Sequence, residues 1–301
     1  MRYKWVDVYR GAAVLFMLIL HFFVNIFPSQ PINFLNYSER GVISIGDMDV
    51  AMFLFISGVS TYLMVAGKKD EAVKGAFARY LKIFLIGFLL DVILVITSGY
   101  IWWVLEAIGL SGIIALCFIC FPNKMKVLAI IIIAVCYSYF VSIPSIYSAA
   151  SLFPNGGFIG SFSLSTIVLF GYMSEEEFLK KKNSSSLMRW GMLLMAAGAV
   201  LASFITYDRN IATPPFIFLS SGFCMLLMVF VHWLVEVRGI TLKFLEDFGR
   251  SALLVFILNY PVLILAVNSG VYQTLSVEEA ALVSSFLILL LALISKYQKF
   301  M

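Results

Sequence analysis

Long apolar runs separated by short polar segments constrain this chain more than any other feature. Runs of mostly apolar residues fall near Val8–Phe27, Val50–Ala66, Tyr80–Thr97, Ile101–Phe121, Val127–Ile143, Phe158–Met173, Met188–Ile205, Pro215–Leu234, Ser251–Val267 and Ala280–Ile294. As helices of about twenty residues, such runs cross a hydrocarbon layer of about 30 Å. Within lipid only helices or closed barrels satisfy the backbone, and these runs lack the period-two alternation of barrel strands. The expected fold is all-α: a polytopic integral membrane helical bundle of about ten transmembrane helices, forming one domain over residues 1–301. Composition agrees. The chain is 62% hydrophobic and 13% charged, whereas a soluble domain carries roughly a quarter charged residues.

The start, MRYK before a long apolar run, is superficially like a signal peptide. The run is too long, and NIFPSQP after it holds no small-residue cleavage site, so an uncleaved first span is expected. The stretch SIPSIYSAASLFPNGG reads as a polar loop between two spans.

Basic residues alternate from loop to loop. Arg2 and Lys4 precede the first span. Lys68, Lys69 and Lys74 follow the second, and Lys124 and Lys126 the fourth. Lys180, Lys181, Lys182 and Arg189 follow the sixth, Arg238 and Lys243 the eighth, and Lys296 and Lys299 the tenth. The opposite loops hold only Arg40 and Arg209. By the positive-inside rule both termini are expected to be cytoplasmic. The net charge of +4 is thus a topology signal, and no nucleic-acid partner is expected. Cys117, Cys120, Cys136 and Cys224 all lie in apolar runs, where cysteine acts as a small hydrophobe. No metal site is read from them.

Polar residues within a span are costly, and they usually face the bundle interior and mark function. On the first span, the step of eleven residues from Arg10 to His21 turns a helix by about three turns plus 20°. The two side chains therefore share a face, roughly 16 Å apart along the axis. Asp7 and Asn25 fall within about 40° of it. Asp7 and Arg10, three residues apart, suit an ion pair at the interface and a ligand site equally. His21 lies too deep to reach the interface and suits proton handling or a structural hydrogen bond. His232, beside Trp233, reads as an interfacial anchor.

Four carboxylates are expected at the depth of His21: Asp47 and Asp49 opening the second span, Asp91 late in the third, and Glu106 early in the fourth. A carboxylate beside a histidine fixes its tautomer and stabilises the imidazolium. Any of the four could be that partner, and helix packing or loop capping would explain each of them singly.

Those residues sit in segments that resemble a known family. WVDVYRGAAVLFMLILHFF resembles the first-span signature of the heparan-α-glucosaminide N-acetyltransferase catalytic-domain family and its bacterial relatives. Its Arg and His, with ten residues between, are also similar to the hallmark of the wider acyltransferase-3 group. GDMDVAMFLFISG resembles the second-span motif, with Asp47, Phe53, Phe55 and Gly58 at its marked positions. VLEAIGLSGIIAL resembles a later motif in which Gln commonly replaces Glu106. TPPFIFLSSGFCMLLMVFVHWL and FGRSALLVFILNYPV resemble the two penultimate-span motifs, with Asn259 where His is frequent.

The resemblance implies transfer of an acyl (acetyl) group from cytoplasmic acyl-CoA to a hydroxyl or amine of an extracytoplasmic sugar or glycan. Acyl-CoA is then the donor substrate, with Asp7 and Arg10 on the donor side. His21 is the catalytic base or nucleophile, with Asp47 and Glu106 beside it, and Asn25, Asn36, Asp49 and Asp91 are on the acceptor side. One departure stands out. The lysosomal enzyme of the family has Asn at the His21 position and its histidine in the following loop, where this chain offers only Asn36.

The expected setting is the cell membrane, with lipid around a multi-pass chain that could form a homodimer. Two other functions stay open at this level: a proton-coupled transporter or flippase, for which buried Asp, Glu and His residues serve equally, and a non-catalytic family member acting as a scaffold. The crowding of polar residues into the first four spans favours an active site over a symmetric transport path.

Overall fold

A computed structural model describes residues 3–24, 37, 40–66, 70–98, 102–181, 184–268 and 277–297. Helix is the only regular secondary structure among the described residues, which hold no strand. In chain order the helices are α1 (Lys4–Ile19), α2 (Met48–Val65), α3 (Asp70–Ser98), α4 (Val104–Ile119), α5 (Asn123–Ser142), α6 (Pro144–Ser151), α7 (Gly157–Lys181), α8 (Ser184–Ala202), α9 (Pro214–His232), α10 (Lys243–Arg250), α11 (Ala252–Asn268) and α12 (Val277–Tyr297). Two of them continue as π-helical turns, α1 through Leu20–Val24 and α9 through Trp233–Val237.

A helix lies over each of the ten apolar runs. Among the described residues, six helical stretches are long and apolar enough to cross a membrane: Lys4–Phe22, Ile45–Val65, Asn123–Ser142, Pro154–Leu179, Ser184–Ala202 and Pro214–Val237. α5 and α8 are only 17% buried, and they turn Ile131, Val135, Leu193 and Val200 outward. Apolar faces of that kind need lipid, not water, as their solvent. The chain is an all-helical membrane protein.

Contacts gather the chain into two units. The first joins residues 1–37, 44–49 and 230–301. Its centre is α1, which buries Trp5, Tyr9, Val14, Met17 and Leu18. α10 lies against α1 backbone to backbone. A Cβ on Gly11 would stand 1.8 Å from the carbonyl oxygen of Leu245, so neither helix could come this close with a side chain there. Small residues allow such approach in membranes, where packing replaces the hydrophobic drive between helices. α10 itself is amphipathic, burying Asp247, Phe248 and Gly249 while Lys243 and Phe244 stay exposed. Near the end of α9, His232 meets the edge of Trp5 at 5.9 Å between ring centroids.

The second unit joins residues 38–43 and 50–229. α2 and α7 cross where Gly58 faces the carbonyl of Val168 and Gly171 that of Phe55, each 2.0 Å from a would-be Cβ. Between α2 and α3, Arg79 donates to the Ser57 carbonyl at 3.2 Å and to Thr61 Oγ1 at 2.9 Å. Lys126, read from sequence as a basic flank, is also a packed group. Its Nζ donates to Glu176 at 2.9 Å and to Asn123 at 3.1 Å, and it lies 4.5 Å above the Tyr172 ring.

Candidate active site

The residues singled out on the first helix are placed by α1 and by the helices that close over it. Asp7 is 1% exposed. Its carboxylate accepts from Arg10 Nη1 at 3.3 Å, and Arg250 Nε approaches its other oxygen at 3.7 Å. Arg250 also pairs with Glu246 one turn earlier on α10. The ion pair read from the spacing of Asp7 and Arg10 is therefore formed, with a second arginine added from another helix. Both arginine side chains remain about a third exposed, at 31% and 33%. A guanidinium carries five donors in a planar fork suited to oxyanions. The contacts with Asp7 and Glu246 engage Nε and Nη2 of Arg250.

Eleven residues on, α1 widens into the π-helical turn that begins at Leu20, and His21 sits in it. A single extra residue per turn redirects the side chains that follow, and such bulges recur at functional sites. His21 is 8% exposed. Nδ2 of Asn259, from α11, stands 2.7 Å from His21 Nδ1, and Asn259 is fully buried. The turn is also tied at its backbone, where Ser284 of α12 donates to the Phe22 carbonyl at 3.3 Å.

Asp47 and Asp49 sit at the start of α2. Asp47 closes the 3₁₀ turn Ile45–Asp47 as a capping box: it accepts the Ser44 N–H at 3.2 Å, while Ser44 Oγ accepts the Gly46 N–H at 3.2 Å. Asp49 accepts from the Tyr37 hydroxyl at 3.0 Å. Both carboxylates are buried.

Asp91 and Glu106 belong to the second unit, on α3 and α4. Glu106 accepts the Trp103 N–H at 2.7 Å, closing the start of its own helix. Its stem rests over Gly87, where a Cβ would lie 2.9 Å from Cγ. Asp91, 1% exposed, faces the Glu106 carboxylate. Asn25 and Asn36 lie outside the described residues. Among those that are described, no three His, Cys, Asp or Glu side chains gather as a metal site would require.

The structure thus brings Asp7 to Arg10 and Arg250, His21 to Asn259, and Asp91 to Glu106. Arg250 and Asn259 had not been singled out as site residues in the sequence. The signal for Asn259 was present, as a lone amide within LLVFILNYPVLIL, since an isolated polar residue in such a run needs a partner. No comparable signal marks Arg250.

The family described as heparan-alpha-glucosaminide N-acetyltransferase, catalytic, matches residues 2–158, just over half of the chain. The chain belongs to this family. It is a family of membrane acetyltransferases. No curated protein matches the chain. The matched segment holds Asp7, Arg10, His21, Asp47, Asp49, Asp91 and Glu106, while Arg250 and Asn259 lie beyond it.

Proposed function

We propose that this acetyltransferase-family protein moves an acetyl group from acetyl-CoA on the cytoplasmic side to an amine or hydroxyl of a sugar or glycan on the other side, with His21 at the reacting centre. In this reading about ten helices cross the cell membrane and both termini face the cytoplasm, as the alternation of basic loops supports. Arg10 and Arg250 then stand at the cytoplasmic end of α1, where the phosphates of the donor would meet two partly exposed arginine side chains. The observation that carries the reading is His21: a buried histidine in a π-helical turn, with one ring nitrogen already hydrogen-bonded.

The chemistry balances in two ways. As a base, His21 takes the proton of the acceptor amine or hydroxyl as that atom attacks the thioester carbonyl. The C–S bond breaks, and the CoA thiolate leaves and is protonated. As a nucleophile, the ring attacks the carbonyl itself, CoA leaves as thiolate, and the acceptor then displaces imidazole from the acyl carbon. Asp47 and Glu106 stand in this reading as the catalytic carboxylates that the sequence suggested. Asn25, Asn36, Asp49 and Asp91 serve the acceptor.

Purified protein supplied with acetyl-CoA and an amino sugar tests the proposal. Release of free CoA with acetyl recovered on the sugar supports it. Binding of acetyl-CoA without turnover would make the protein a non-catalytic member of its family. Sugar uptake into proteoliposomes driven by a proton gradient, without CoA release, would make it a transporter.

A further inference from the structure

His21 and Asn259 come from opposite ends of the chain, 238 positions apart, and meet within one unit at 2.7 Å. Both are buried, at 8% and 0% exposure. A ring nitrogen this close to an amide is engaged by it, so Asn259 sets the role of Nδ1 in whatever His21 does. We infer that Asn259 is the positioning residue for His21: it holds Nδ1 and thereby assigns the reaction to Nε2. The inference rests on the acyl-transfer reading for its chemistry and on the helix geometry for its contact.

Three features tie the pair down. The π-helical turn that carries His21 is anchored through the Phe22 carbonyl to Ser284, so the ring is reached from α11 and its backbone from α12. Asn259 precedes Pro261 on α11, and a proline gives no N–H to the carbonyl four residues back. Asn259 therefore projects from a stretch whose ladder is locally open. The amide also suits both faces of the exchange. Through Nδ2 it can donate to a lone pair on Nδ1, and turned over it can accept Nδ1–H through Oδ1, since the heavy-atom outline is the same either way. The second orientation leaves the lone pair on Nε2, as a base requires, and it still accepts Nδ1–H after Nε2 has taken the acceptor's proton. A carboxylate could accept but never donate, and an aliphatic side chain could do neither.

The chain contains two histidines, so ¹⁵N-histidine labelling of the whole protein reports few imidazole signals, and His232→Gln assigns them. At a pH where His21 is neutral, its signals should show one tautomer, with the proton on Nδ1. Asn259→Leu should turn this into a mixture of tautomers and lower kcat about ten-fold or more, with KM for acetyl-CoA within about two-fold, because what is lost is alignment of a base worth about 10²–10⁴ in rate. Asn259→Asp, which can only accept, should keep the Nδ1–H form. A tautomeric mixture in the wild type would overturn the inference, as would a single tautomer with its proton on Nε2. Unchanged signals and unchanged kcat in a folded Asn259→Leu protein would do the same. If that variant does not fold, the wild-type and Asn259→Asp spectra decide alone. Wild-type protein with the expected tautomer but no acetyl transfer would count against the acyltransferase reading and leave the positioning intact.

Discussion

A Cβ placed on Gly249 would stand 1.8 Å from the carbonyl oxygen of Asp7. Backbone does not yield like the end of a flexible side chain, so Gly249→Ala must separate α10 from α1. The expected loss is about 1–3 kcal/mol, seen as a lower melting temperature and less folded protein. Gly75→Ala is the control. Nothing lies within 4 Å of that position on α3, and alanine in a helix is favoured over glycine by roughly 0.5–1 kcal/mol. Equal melting of the two variants would contradict the contact.

Arg10→Lys keeps a positive charge beside Asp7 and loses the planar fork. The apparent KM for acetyl-CoA should rise while acceptor KM is unchanged, measured by CoA release at saturating acceptor. Loss of folded protein, with donor KM unaltered in what remains, would make Arg10 a structural partner of Asp7 alone.

His21→Ala should lower transfer by about 10²-fold or more, since one general base is worth about 10²–10⁴, while acetyl-CoA still binds. His21→Gln separates chemistry from packing, because Gln can keep a hydrogen bond to Asn259 and cannot take a proton. Turnover near wild type in folded His21→Gln would end the assignment. Asn36 would be the next position to examine.

Asp91→Asn replaces a buried carboxylate that faces the carboxylate of Glu106. Removing that repulsion should raise the melting temperature, by about 1 kcal/mol or more in stability. If Asp91 serves the acceptor, activity falls in the same variant, an exchange of function for stability. A lower melting temperature would show that the carboxylate has a stabilising partner.

A cysteine introduced at position 181, in a background without the four native cysteines, should react with an impermeant label only from the cytoplasmic side. The basic cluster around it is the reason. Labelling from outside would reverse the orientation of the whole bundle.

Hydropathy located helices well and ended them poorly. The third run was expected from Tyr80, yet α3 begins at Asp70, because the charged residues ahead of Tyr80 continue the helix without adding apolar signal. SIPSIYSAASLFPNGG, read as a loop, contains α6, opened by Pro144 at a first-turn position where proline costs nothing. α10 was invisible for another reason: eight amphipathic residues resemble a loop between spans. In the site, the positions on α1 could be read because they share one helix and its period. Their partners could not. Nothing in a periodic pattern links His21 to Asn259 or Asp7 to Arg250, pairings that only tertiary packing creates.

The first unit is discontinuous in the chain, and this bears on the order of its assembly during synthesis. α1, with Asp7 and His21 on it, leaves the ribosome before α10 and α11, since Arg250 and Asn259 are translated more than two hundred residues later. Until then the helix must wait with buried-type polar groups that its final neighbours are not yet present to satisfy, in surroundings that penalise them. A nascent chain arrested before α10 would thus expose the acidic and histidine positions of α1 to lipid or to an insertion factor. Nonsense mutations between residues 230 and 243 should therefore yield chains cleared by membrane quality control, even though every residue matched by the family is already made.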